Sequence, residues 1–164
     1  MDERLKQLNQ ILQEQISVHE SLREDLRQEL EDDGKLDGKL LMQLQHRKSH
    51  KANSLQHLEE NRMAIVRELG SQWGVEADSL NLRQIIARAP KEQADVLSEC
   101  HGTLLALVEE IQGLARQTSS NAQARLRAVE ATLVAINDSV KSHATYSEAG
   151  KLNRKPPTFR ETSV

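Results

Sequence analysis

From Leu5 onward, apolar residues recur as Leu5, Leu8, Leu12, Ile16, Leu22, Leu26 and Leu30, the three-and-four spacing of a helix that buries one stripe. This predicts a helix over about residues 3–32. The segment EDDGKLDGK follows, with Gly34 and Gly38 among charges; each glycine disfavours helix by about 1 kcal/mol relative to alanine, so a turn belongs there. Asp37 is placed to cap a second helix, whose stripe reads Leu41, Leu44, Lys48, Lys51, Leu55, Leu58, Arg62, Ile65 and Leu69 and stops at Gly70. Two helices of roughly 45 Å, joined by a few residues, pack antiparallel as a hairpin. The polar middle of the second stripe predicts a loose seam at Lys48 and Lys51.

Residues 70–79, GSQWGVEADS, break the period and read as a connector, with Trp73 plugging the end of the hairpin. LNLRQIIARAP reads as a short helix closed before Pro90, and Pro90 suits the first turn of a third helix. That helix carries Leu97, Cys100 or His101, Leu104, Leu107, Ile111 and Leu114. The apolar spacing is interrupted over Thr118–Asn121 and resumes, on a new phase, as Leu126, Val129, Leu133, Ile136 and Val140. QTSSNAQ could be a turn into a fourth helix. The interruption contains neither Gly nor Pro, which favours a single helix of about 50 residues, roughly 75 Å, outrunning the hairpin. The expected fold is all-α: an antiparallel long-helix hairpin plus a long third helix, in a three-helix or possibly four-helix coiled-coil-like bundle with a short connector helix. Residues 1–142 form the bundle domain and 143–164 a flexible, basic C-terminal tail.

Composition narrows the function. Of 164 residues, 37% are hydrophobic but 2% aromatic, which argues against a β-sandwich. One Cys excludes a disulfide framework and a multi-cysteine zinc site, and a net charge of -3 weighs against a nucleic-acid binder held by phosphate contacts. The start, MDERLKQLNQ, has no apolar signal region, and the apolar run Leu104–Val108 is far shorter than a membrane span, so a cytoplasmic protein without membrane insertion is expected. Charge is unevenly placed: the first 33 residues hold ten acidic and four basic side chains, whereas the tail from Lys141 has five basic and two acidic ones.

No catalytic constellation emerges. Cys100 and His101 are neighbours, but adjacent helical residues point about 100° apart and cannot share a proton. His46, His50 and His57 share a helical face without a carboxylate at a ligand offset, and the surrounding RKSHK repels a cation. That basic run reads as a solvated or loosely packed face. Neither Glu-x-x-His nor a glycine-rich phosphate loop occurs, so no enzyme, cofactor or metal is expected. Tyr146 and Phe159 fall in the tail, where rigid aromatic side chains suit partner anchoring. The stripe Leu126, Val129, Leu133, Ile136 and Val140 must be covered by something: another chain's amphipathic helix held in a groove, or else an ordinary bundle core or homodimer seam.

Two long Leu-rich helices with a Lys-containing middle, the NLRQIIARAP segment, a long third helix and TYSEAGKL together resemble the FlgN-type flagellar export chaperones, over about residues 5–152. The family often carries paired asparagines in the middle of the third helix; here Thr118 and Asn121 stand in comparable places. The resemblance implies a cytosolic, non-catalytic chaperone of type III export. It would bind the C-terminal helical regions of hook-filament junction proteins, prevent their premature association and deliver them to the export gate. Client contact then maps onto Leu126, Val129, Leu133, Ile136 and Val140, and gate docking onto Tyr146. The alternative is a structural coiled-coil adaptor or homodimerisation module, and a weak homodimer is compatible with either.

Overall fold

The computed structural model describes residues 2–35 and 37–143, with side chains through Ile136. The described residues form an all-α helical bundle without a strand: α1 (Glu3–Glu31), α2 (Gly38–Trp73), α3 (Leu82–Arg88) and α4 (Lys91–His143), with a 3-10 turn at Ala77–Ser79. The chain divides into two compact units, Met1–Ser119 and Ser120–Val164.

In the first unit, both hairpin helices start on aspartate caps. Asp2 accepts from the Arg4 N–H at 3.0 Å, and Asp37 from the Leu40 N–H at 2.8 Å. Arg4 meets Glu68, Gln15 meets Glu59, and Lys48 meets Glu29, so α1 and α2 run antiparallel.

α2 passes the expected stop at Gly70 and ends three residues later. Gly74 adopts φ 66°, the left-handed conformation that glycine tolerates, and terminates the helix. Gly70 answers a different need. The connector backbone crosses it so closely that a Cβ there would lie 2.6 Å from the Val75 carbonyl oxygen, while the Val75 N–H donates to the Gly70 carbonyl at 2.9 Å. Trp73 therefore belongs to the last turn of α2. It is half-buried against the core, with the Arg88 guanidinium 6.0 Å from its ring centre.

α3 is closed at its start by a capping box: the Gln84 N–H donates to Asn81 Oδ1 at 2.9 Å and the Asn81 N–H to Gln84 Oε1 at 2.8 Å. Ala89, before Pro90, is extended and ends it. The Pro90 carbonyl then accepts the Ala94 N–H at 2.8 Å as α4 begins. No turn occurs at 117–123, which removes the four-helix alternative. The Thr118 hydroxyl donates to the Leu114 carbonyl at 3.0 Å, so it finds its partner within the helix.

The apolar core lies at the base of the hairpin. Leu5, Leu8 and Leu12 of α1 meet Val66 and Leu69 of α2, Leu80 of the connector, Ile85 of α3, and Leu97 and Cys100 of α4. Each large aliphatic side chain buried this way contributes about 1.5–3 kcal/mol.

Further along the hairpin the seam is polar without being loose. Lys48 Nζ donates to Glu29 at 2.6 Å, Lys51 Nζ donates to Asp25, and the buried Gln15 donates to Glu59 at 3.2 Å. Leu26 and Leu44 are buried in the same stretch. The expected loose seam is thus replaced by paired charges, because α1 supplies carboxylates where α2 supplies lysines.

Arg23 and Arg27 of α1 both donate to Glu110 of α4, Arg23 at 3.2 Å. Desolvation works to raise the Glu110 carboxyl, but the two guanidiniums outweigh it and hold the group below the usual carboxylate range. A carboxylate lowered in the folded state adds stability that is complete above its unfolded value near 4.5 and is lost as pH falls through the lower folded value. The melting temperature is therefore expected to fall as the pH is lowered below about 5, and to fall less in Glu110→Gln. An equal fall in the variant would show that this contact contributes nothing to acid sensitivity.

Candidate functional site

In the second unit, Leu126, Val129, Leu133 and Ile136 lie on one side of α4, within an arc of about 80° at 100° per residue. All four are 51–55% exposed, and none of the described side chains of residues 120–136 is buried. Ala124, Ala128, Ala131 and Ala135 lie on a different side, and Arg127 and Glu130 are exposed between. Thr132 turns its hydroxyl back to the Ala128 carbonyl at 2.9 Å. Aliphatic side chains presented in this way have no nucleophile or acid–base pair among them. What they can do is pack against the apolar face of another helix. Val140 is within α4 but its side chain lies outside the described residues, as do Tyr146 and Phe159.

The other chemical candidates resolve into packing and pairing. Cys100 is buried and its Sγ donates to Asn9 Oδ1 at 3.4 Å. Burial, with a smaller push from the Glu99 charge, raises its thiol above the ordinary value and keeps it a poor nucleophile. His46, His50 and His57 are exposed along α2, and among the described residues no group of three or more His, Cys, Asp or Glu side chains is placed to hold a metal ion. Of the RKSHK cations, Lys48 and Lys51 are turned to α1 carboxylates and Arg47 lies 3.8 Å from Asp25. The run is thus divided: Lys48 and Lys51 belong to the hairpin seam, while Arg47, Ser49 and His50 are exposed as a solvated face would have them.

One feature escapes sequence patterning altogether. A surface groove of about 550 Å³ in the first unit is lined by Leu12, Met63, Val66, Leu80, Leu82 and Leu104, with Arg62 and Arg67 also on its walls. Its lining comes from α1, α2, the connector and its short helix, and α4, so no single periodic stripe announces it. Arg62 is occupied, donating to Glu59 at 2.8 Å. Hydrogen bonding from Arg62 outweighs desolvation and holds the Glu59 carboxyl below its usual range.

No helix among the described residues is long and apolar enough to cross a membrane. Compared with known families, residues 1–154 match the one described as FlgN protein. Neither the curated proteins nor the solved structures contain a match to the chain.

Proposed function

The chain belongs to the FlgN family, whose members are flagellar export chaperones, and from this we propose that it acts in the cytoplasm on hook-filament junction proteins. It binds their C-terminal helical regions, keeps them from associating early and delivers them to the export gate. The observation that carries this reading is the exposed aliphatic stripe Leu126, Val129, Leu133 and Ile136, within the stretch matched to the family. Val140 continues the spacing by one further step. A client helix laid along this face buries apolar surface on both chains and withholds the face that the client uses for assembly. Tyr146 follows the stripe by six residues and serves as the anchor at the gate. Replacing it with Ala should leave client affinity intact and weaken capture by the gate component in a pull-down; unchanged capture would remove Tyr146 from this role.

Titration calorimetry against a synthetic peptide carrying the C-terminal helix of a hook-filament junction protein tests the main claim. Saturable one-to-one binding, with light scattering showing a monomer at low micromolar concentration, is the expected result. A stable dimer that ignores the peptide would instead identify a structural coiled-coil module whose stripe is covered by a second copy.

A further inference from the structure

We propose that the client-binding segment of α4 is only partly helical in the free protein and is completed as a helix by the client, so that folding of residues 120–136 is coupled to binding. The inference rests on the client reading above and concerns how that site is controlled.

The argument starts from what holds each part of α4 in place. In the first unit, Leu97, Cys100 and Leu107 are buried, so packing fixes the helix there. Over residues 120–136 no described side chain is buried. Backbone hydrogen bonds, intrinsic propensity and exposed side-chain contacts must then sustain the helix, and in water these come close to balancing the cost of ordering the chain. The preceding turns remove the nucleation penalty, but each added residue still gains little. Val129, Thr132, Val134 and Ile136 are β-branched and lose rotamer freedom against the turn before them. Thr132 also offers its hydroxyl to the Ala128 carbonyl, which slightly weakens the helical bond at that place. Against these stand the alanines at 124, 128, 131 and 135, the strongest helix formers. Such a segment frays and re-forms, and an apolar helix packed on its stripe supplies the tertiary contact that propensity lacks.

Two functional consequences follow. Part of the gross binding energy goes into ordering the segment, so affinity is moderate for the area buried and release at the gate is easier. A partner must also present a continuous apolar ridge to stabilise several turns at once, which selects amphipathic helices over scattered apolar groups.

Ala128→Gly and Ala135→Gly test this, because both positions lie more than 100° around the helix from the midline of the stripe. To the extent that the free segment is unfolded, glycine destabilises the bound state alone, and each substitution weakens peptide affinity by up to about fivefold. A helix already formed in the free protein would be destabilised equally in both states, leaving affinity unchanged and overturning the proposal. Hydrogen exchange gives a second reading on the full chain. Amides of residues 122–136 are expected to exchange much faster than those of residues 97–107 when free and to gain at least about tenfold protection with the peptide, while residues 97–107 stay protected throughout. Equal protection of the two stretches in the free protein would also overturn it. Failure of the unsubstituted protein to bind the peptide is a different result, which overturns the client reading and the coupling with it.

Discussion

Replacing both Leu133 and Ile136 with Asp is expected to weaken client binding on the order of a thousandfold while leaving the bundle folded. Both side chains are 54% exposed in the free protein, so the substitutions remove little packing and leave no cavity. In the proposed complex the same positions face an apolar partner. Covering the exposed half of each aliphatic side chain contributes about 1 kcal/mol, and a carboxylate forced against the partner without a hydrogen bond adds a desolvation cost of similar size or more. Two such sites come to about 4 kcal/mol, or three decades of affinity. Calorimetry with the peptide measures the loss, and circular dichroism checks the fold. Global unfolding of the variant would assign these residues to a core, and near-native affinity would remove the stripe from the interface.

The second large effect concerns the hairpin seam. Lys51→Met should destabilise the first unit by about 3 kcal/mol, because it strands the Asp25 carboxylate among buried neighbours. Asp25 is 10% and Lys51 20% exposed at the side chain, so water replaces the lost partner poorly. Arg47, 3.8 Å from Asp25, softens the loss and keeps it at the low end of what breaking a buried pair costs. Replacing both partners, Asp25→Leu with Lys51→Met, should recover most of the stability, since neither desolvated charge then remains. Urea midpoints followed by circular dichroism compare the three proteins. A single variant within about 0.5 kcal/mol of the unsubstituted protein, as for an ordinary surface change, would mean that the pair is effectively solvated.

That seam also shows what a single stripe conceals. The leucine spacing of α1 and α2, the Asp37 cap and the short NLRQIIARAP helix are legible because each depends on local periodicity or a local cap, and the unbroken α4 because its interrupted stretch holds no Gly or Pro. The sequence pattern makes Lys48 and Lys51 look like a loose region because their partners, Glu29 and Asp25, occur in another helix and fall outside its apolar stripe. Pairing across helices depends on register, which periodicity within one helix does not set. Gly70 illustrates the same limit: a glycine near a helix end signals a stop, whereas here it lets the chain at Val75 pass over the helix. For the proposed client site, the stripe is legible as an apolar face needing cover. Its exposure at Leu126, Val129, Leu133 and Ile136 required coordinates, and Val140 and Tyr146 fall outside the described side chains.

The position of Trp73 has a practical consequence. It is the single tryptophan of the chain and is packed against the base of the hairpin, under Arg88. Its fluorescence emission is thus a built-in gauge of one place, the docking of the connector on the core, and is blind to helix gained or lost over residues 120–136. Far-ultraviolet dichroism weights every helical residue alike. If residues 120–136 melt ahead of the scaffold, as proposed, curves recorded by the two signals on one sample separate, and the interval between them measures that lead; coincident curves would mean that the segment melts with the rest.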